Sequence, residues 1–260
     1  ISKINIFFLI NKPSSYKMRI YNSFVDGIGV DGHVTLSIYH CNEMLFIREL
    51  QKNLGSFDYY VIMTHFKSEN LEHVSFTDNI LKEIERIPKD KLIILDNDKP
   101  EINGAIYQDF QNDIYNALKE GIEKLRKYDK LILVYPQKSV FPYPRRILRG
   151  FVQFCGEYDF DHEILDEIYE DMELNSRDVY ITIEETDLVK LVQQVNAKKL
   201  TLGQDIGIIS YNDTPLKSLL GITVISTDFK TMGETAAYMV LRDKKEKVKN
   251  VFKYIERNSV

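Results

Sequence analysis

The chain has 260 residues, 44% of them hydrophobic and 28% charged, enough to bury an ordinary core in one large or two modest domains. Its formal net charge of -5 argues against this chain being the part of a protein that grips nucleic acid, because such domains carry basic patches. No apolar run reaches the length of a membrane span and no signal peptide is visible, so no membrane partner is expected. Cys41 and Cys155 lie far apart without metal-like spacing, and two thiols in a reducing cytosol is the plain reading. Strand-like residues begin at once after Ile1, as in a piece excised or processed from a longer protein.

Taken in chain order, apolar runs predict strands at 4–10, 34–40, 59–63, 91–96, 105–108, 131–135, 179–183, 206–210 and 222–227. Most are continuous rather than alternating, as in parallel strands covered on both faces by helices. Helical faces lie between them. Ile20, Phe24, Val25 and Ile28 form the first, and Leu45, Ile47, Leu50 and Leu54 the second. Ile80, Leu81, Ile84 and Ile87 follow, then Leu118, Ile122 and Leu125. Ile147, Phe151 and Phe154 make another, as do Leu188, Leu191, Val192 and Val195. The segment 163–174 reads as a strand followed by an acidic turn, with a short helix as the alternative. The alternation predicts right-handed βαβ units in an α/β fold, and so many strands suit two doubly wound lobes better than one sheet.

Several patterns carry less than their letters suggest. Gly27-Ile28-Gly29-Val30-Asp31-Gly32 fits a dinucleotide-binding spelling, but a helix precedes it and a strand follows. The mechanism needs the reverse, so the glycines read as a helix end and a turn. No nucleophile motif occurs, and adjacent His40 and Cys41 would point to opposite faces of a strand. No catalytic residue, cofactor or metal is expected. Asp159, Asp161, His162 and Glu163 read as a solvated loop, and the basic run 244–249 as a solvated turn.

Polar and aromatic residues recur just after strands. They are Asn11, Lys12, Ser14, Ser15 and Tyr16 after the first; Thr64, His65 and Phe66 after the third; and Asp109 and Phe110 after the fifth. Phe141, Tyr143, Arg145 and Arg146 follow the sixth, Glu184 and Glu185 the seventh, and Asn212 and Asp213 the eighth. Strand C-terminal ends are the ligand edge of an open α/β sheet. Amides, carboxylates and guanidinium groups around rings suit a hydroxyl-rich ligand with apolar C–H faces. Asp109, Glu185 and Asp213 are also placed to cap or precede helices.

The stretch DIGIISYNDTPLKSLL followed by ITVISTDFKTMGETAAYMVL resembles the C-terminal signature of the LacI/GalR regulators' effector domain. RGF at 149–151 and the closing YIERNS extend that resemblance along the chain. PYPRRILRGFVQFC, ITIEETDLVKLV and SYNDTPLK resemble more narrowly the sensor domains of some GntR-type regulators, in which a winged helix-turn-helix precedes a LacI-like sensor.

The resemblance implies a type I periplasmic-binding-protein-like fold. Its N-terminal lobe would be 1–127 plus 228–252 and its C-terminal lobe 128–227 plus 253–260, with hinge crossovers near Tyr128, Thr227 and Lys253. It implies a cytoplasmic, non-enzymatic regulator module, dimeric, that binds a small effector between lobes and reaches operator DNA only through a module outside this chain. The effector would be a monosaccharide or sugar phosphate. The ligand positions implied are Lys12, Tyr16, Thr64, His65, Asp109, Phe110, Tyr143, Arg145, Arg146, Glu184 and Asn212. Asn212 stands where the family commonly has Asp, Glu184 where it has Asn, and Ile147 where it has its binding Arg, so the guanidinium would come from Arg145 or Arg146. The alternative is an exported sugar-binding protein of a transporter.

Overall fold

The computed structural model describes residues 2–260. In chain order the elements are β1 (Ile4–Ile10), α1 (Ser15–Ile28), β2 (Gly32–Ile38), α2 (Glu43–Asn53), β3 (Tyr59–Met63), β4 (Phe66–Lys67), β5 (His73–Val74), α3 (Asp78–Ile84), β6 (Leu92–Asp96) and β7 (Ala105–Tyr107). Then come α4 (Phe110–Glu120), α5 (Ile122–Leu125), β8 (Lys130–Val134), α6 (Arg146–Glu157), β9 (Asp161–Leu165), β10 (Asp178–Thr182), α7 (Glu185–Ala197) and β11 (Gly207–Tyr211). The chain closes with α8 (Pro215–Leu219), β12 (Thr223–Thr227), α9 (Phe229–Leu241), β13 (Lys247–Lys249) and β14 (Phe252–Ile255).

Two compact units result. The first holds the chain up to Asp109 with Val140–Pro144 and Asp228–Val251; the second holds Phe110–Ser139, Arg145–Thr227 and Phe252–Val260. The first unit's sheet runs β13-β7-β6-β3-β1-β2, all parallel. The second runs β14-β12-β11-β10-β8-β9, parallel except for the β12–β14 edge. Strand periodicity explains the packing of the first unit. Ile6, Phe8 and Ile10 face α1 and α9, while Phe7 and Leu9 face α2 and α3. In the second unit Val134, Tyr180, Ile208 and Val224 pack with Leu188, Leu191 and Val195 of α7.

The expected first boundary lay near Tyr128, but the chain enters the second unit at Phe110. The reason is α4. It packs on α6, so closely that a Cβ on Gly150 would lie 2.1 Å from the carbonyl oxygen of Gln111. The other ends of the interrupted units fall at Thr227/Asp228 and Val251/Phe252.

Four local expectations resolve at the atomic level. Strand β2 starts at Gly32 and stops at Ile38, because His40 and Cys41 take left-handed φ of 53° and 55°. The Gly-rich pattern is the end of α1, with Gly29 at φ 58° as its C-cap. Segment 163–174 begins as the edge strand β9 and continues without helix. Part of the basic run 244–249 is a strand, not a turn: Lys247–Lys249 pairs with β7 and extends the sheet.

Candidate functional site

The C-terminal strand ends of the first unit carry a buried polar network. Ser14 caps α1 by accepting from the Lys17 amide at 3.2 Å, which sets Lys17 in the first turn of the helix. The Lys17 ammonium reaches the Asp96 carboxylate at 2.5 Å, and His65 Nε2 lies 2.9 Å from the same oxygen. His65 Nδ1 is 2.7 Å from His73 Nε2, on the β4–β5 ribbon. Asp96 itself holds a left-handed φ of 72°. Beside it Asn97 donates to the Thr64 carbonyl at 2.6 Å and to its hydroxyl at 3.3 Å, and Ser75 donates to Asn97 at 3.1 Å.

Electrostatics fixes the protons here. Burial alone would raise the Asp96 carboxyl, but the Lys17 charge and the His65 hydrogen bond outweigh it and hold the group far below the usual carboxylate range. Burial, then Lys17, pushes the His65 imidazolium down despite Asp96. His73 falls to about 2, through burial and then its neighbours His65, Lys17 and Lys12. Both rings are therefore neutral. His65 donates from Nε2 to Asp96, its Nδ1 accepts, and His73 donates from Nε2.

Among the residues expected at this edge, Thr64 and His65 are buried inside this network. Lys12 sits just past β1 with its ammonium 4.9 Å from the Tyr143 ring centre and 5.8 Å from that of Phe141. Tyr16 stacks on Phe229 at 5.4 Å. Asp109 is half-buried between β7 and α4. Lys17, Asp96, Asn97 and His73 were not expected. Asp96 ends β6, the fourth strand expected from the sequence, Asn97 follows it, and both fit the same strand-end rule; Lys17 and His73 carry no local signal.

The second unit's edge is built around the tip of β11. Asn212 adopts φ 67°, its amide donates to the Ile225 carbonyl at 2.8 Å, and its side-chain oxygen accepts from the Thr227 amide at 3.1 Å. Thr214, not Asp213, caps α8, and this puts Lys217 beneath the tip. Buried Lys217 donates to the carbonyls of Tyr211 at 2.9 Å and Asn212 at 2.8 Å, and burial pushes its ammonium down to about 8. Asp213 forms a fork with Arg257, two contacts of 2.8 Å, and Arg257 also donates to the Ile222 carbonyl at 2.9 Å.

Glu184 precedes α7 and accepts from Ser139 at 3.0 Å. It lines a polar cleft of about 410 Å³ with Lys138, Ser139, Glu167, Asp187 and Lys190. Arg145 and Arg146 are exposed at the start of α6, one turn before buried Gly150, while Ile147 enters the core. Phe110 is the half-buried first residue of α4. Thus Lys12, Tyr16, Thr64, His65, Asp109 and Tyr143 lie in the first unit, and Phe110, Arg145, Arg146, Glu184 and Asn212 in the second.

Among the described residues no group of His, Cys, Asp and Glu is arranged to hold a metal ion, and no helix is long and apolar enough to cross a membrane.

Solved structures share this fold over the whole chain. A Lac repressor dimer bound to operator and the anti-inducer ONPF superposes with a TM-score of 0.75 at 13% identity, covering 100% of this chain and 94% of that one. The trehalose repressor from Escherichia coli gives 0.76 at 11% identity over 98% and 100%. A periplasmic binding protein/LacI transcriptional regulator from Alkaliphilus metalliredigens QYMF, complexed with D-xylulofuranose, gives 0.68 at 14% over 99% of each chain. No curated protein matches the chain in sequence. The two mainly parallel sheets are thus those of the type I periplasmic-binding-protein-like fold. The family model for the periplasmic binding protein-like domain matches residues 124–260, just over half of the chain, and the chain belongs to that family.

Proposed function

We propose that this chain is the effector-sensing module of a bacterial transcriptional regulator, binding a small hydroxyl-rich molecule, a monosaccharide or sugar phosphate, without turning it over. The observation that carries the reading is the concentration of hydrogen-bonding side chains at the C-terminal strand ends of each sheet, where open α/β folds take ligands. Repressors and a sugar-bound regulator among the structural relatives support it. An effector would favour the conformation it binds more tightly, by no more than that difference in affinity. Operator DNA would be read by a separate module; the likeness of PYPRRILRGFVQFC to GntR-type sensors favours a winged helix-turn-helix. Such a module works as a homodimer, as one Lac repressor relative is described. The exposed leucines of α8 and its end, Leu216, Leu219 and Leu220, offer an apolar face for a second copy.

A thermal-shift screen against monosaccharides and their phosphates tests the reading, since a ligand of the native state raises its stability. The best hit should lose its shift in Asn212→Ala and Arg145→Ala. An unchanged shift in both variants would remove these residues from the site.

A further inference from the structure

We infer that the Asn250 side chain is a clasp, tying three crossover segments of the chain into one cooperative element at the end of the first unit. The clasp belongs to the fold and stands whatever the effector is.

Apart from the excursion at Val140–Pro144, the chain passes between the units at Asp109/Phe110, Thr227/Asp228 and Val251/Phe252. The last two passages are joined by backbone. β12 and β14 pair antiparallel as far as Thr227 and Phe252, and the Asp228 amide carries the pairing one step on by donating to the Val251 carbonyl at 2.9 Å. The passage at Asp109 leaves instead from β7, a strand of the other sheet.

Asn250 brings it to the other two. Its backbone amide donates to the Tyr107 carbonyl at 2.8 Å, one step beyond the β13–β7 ladder. Its side-chain nitrogen donates to Gln108 Oε1 at 2.8 Å and to the Asp228 carbonyl at 3.1 Å, and lies 3.5 Å from the Val251 carbonyl. Acceptor oxygens surround that nitrogen, which fixes the orientation of the amide. The Gln108 amide donates in turn to the Asp96 carbonyl at 2.9 Å, and Asp228 caps α9 by accepting from the Thr231 amide at 3.0 Å. One side chain therefore meets a residue at or beside each of the three passages.

Asn250 and Gln108 are only 4% and 5% exposed. Burying two amides costs free energy unless they are hydrogen-bonded, and here they bond to each other. Hydrogen bonds have direction, so this pair selects one arrangement of the segments that carry it.

Native-state hydrogen exchange, resolved by amide NMR, tests the clasp. The Gln108, Asp228 and Asn250 amides report one passage each. In the parent they should open with one shared free energy, smaller than that of Ile62 in β3 and Ile209 in β11. Asn250→Ala should speed exchange at Gln108 and Asp228 by about tenfold, through the lost side-chain bonds. Asn250→Asp keeps the size, removes the donors and should act likewise. Ser23→Ala removes a different bond in the same unit, to the Lys230 carbonyl, and should leave the passages as they were. Three different opening free energies in the parent, or values equal to those of the strands, overturn the inference. Exchange at Gln108 and Asp228 that Asn250→Ala leaves unchanged also overturns it. Equal acceleration at Ile62 and Ile209 would make Asn250 a contributor to overall stability and refute the clasp. If the Asn250 variants do not fold, the parent comparison and the same measurement on Gln108→Ala, read at Asp228, decide.

Discussion

Gly150 and Gly156 lie on the same helix, α6, and the structure predicts opposite outcomes for the same substitution. At Gly150 a Cβ would lie 2.1 Å from the Gln111 carbonyl oxygen, 2.9 Å from its carbon and 2.6 Å from Ile114 Cγ2. Ordinary carbon contacts begin near ~3.5 Å, so α4 would have to retreat by about 1 Å. The obstacle is backbone, and no rotamer change relieves it. Overpacking of this kind costs roughly 3 kcal/mol, against about 1 kcal/mol gained by replacing glycine inside a helix. Gly150→Ala should therefore lose about 2 kcal/mol net. At Gly156 nothing lies within 4 Å of the added Cβ, so only the helix gain of roughly 0.5–1 kcal/mol remains. The chain has no tryptophan, so urea unfolding should be followed by far-UV circular dichroism, with the slopes compared before the midpoints. A Gly150→Ala variant as stable as the parent would refute the argument that backbone contact forces α4 and α6 into one unit.

Three further outcomes follow from other parts of the molecule. Lys217 titrates near 8 in the fold and near 10.5 when unfolded, so the unfolded chain binds more protons between those values and stability rises with pH. Relative to Lys217→Met, the parent should gain about 2 kcal/mol between pH ~7.5 and ~9.5; a flat difference would contradict the buried ammonium. Asp96→Asn should cost about 3 kcal/mol at neutral pH by stranding Lys17, measured by urea unfolding. Because the folded carboxyl is depressed, its stabilisation is complete above the ordinary aspartate value of 3.8 and fades as pH falls towards the folded value, so the gap between parent and variant should narrow in acid. Leu219→Glu should convert a dimer to a monomer in light scattering if the 81% exposed leucine meets a second copy; persistence of the dimer would place that contact elsewhere.

The strands were legible because continuous apolar runs such as Ile4–Ile10 and Leu92–Asp96 need cover on both faces, whatever supplies it. The short pieces were not. β4, β5 and β13 are too brief to show a period, and they exist because a neighbouring edge satisfies their backbone. Polar strand ends at Asn11, His65 and Asn212 could likewise be read directly, since a polar residue after an apolar run marks the edge of a sheet.

What those residues touch is a different matter. Lys17 and Asp96 are 79 positions apart, and His65 joins them only because β1, β3 and β6 are neighbours in the sheet. Arg257 finds Asp213 only because β14 returns antiparallel to β12. Sequence by itself determined the alternation, the two-sided burial of the strands and the chemical character of their ends, because those depend on near neighbours along the chain. The tertiary structure decided the unit to which α4 belongs, the protons of the histidine pair and the pairing of each charge, because those depend on residues that only packing brings together.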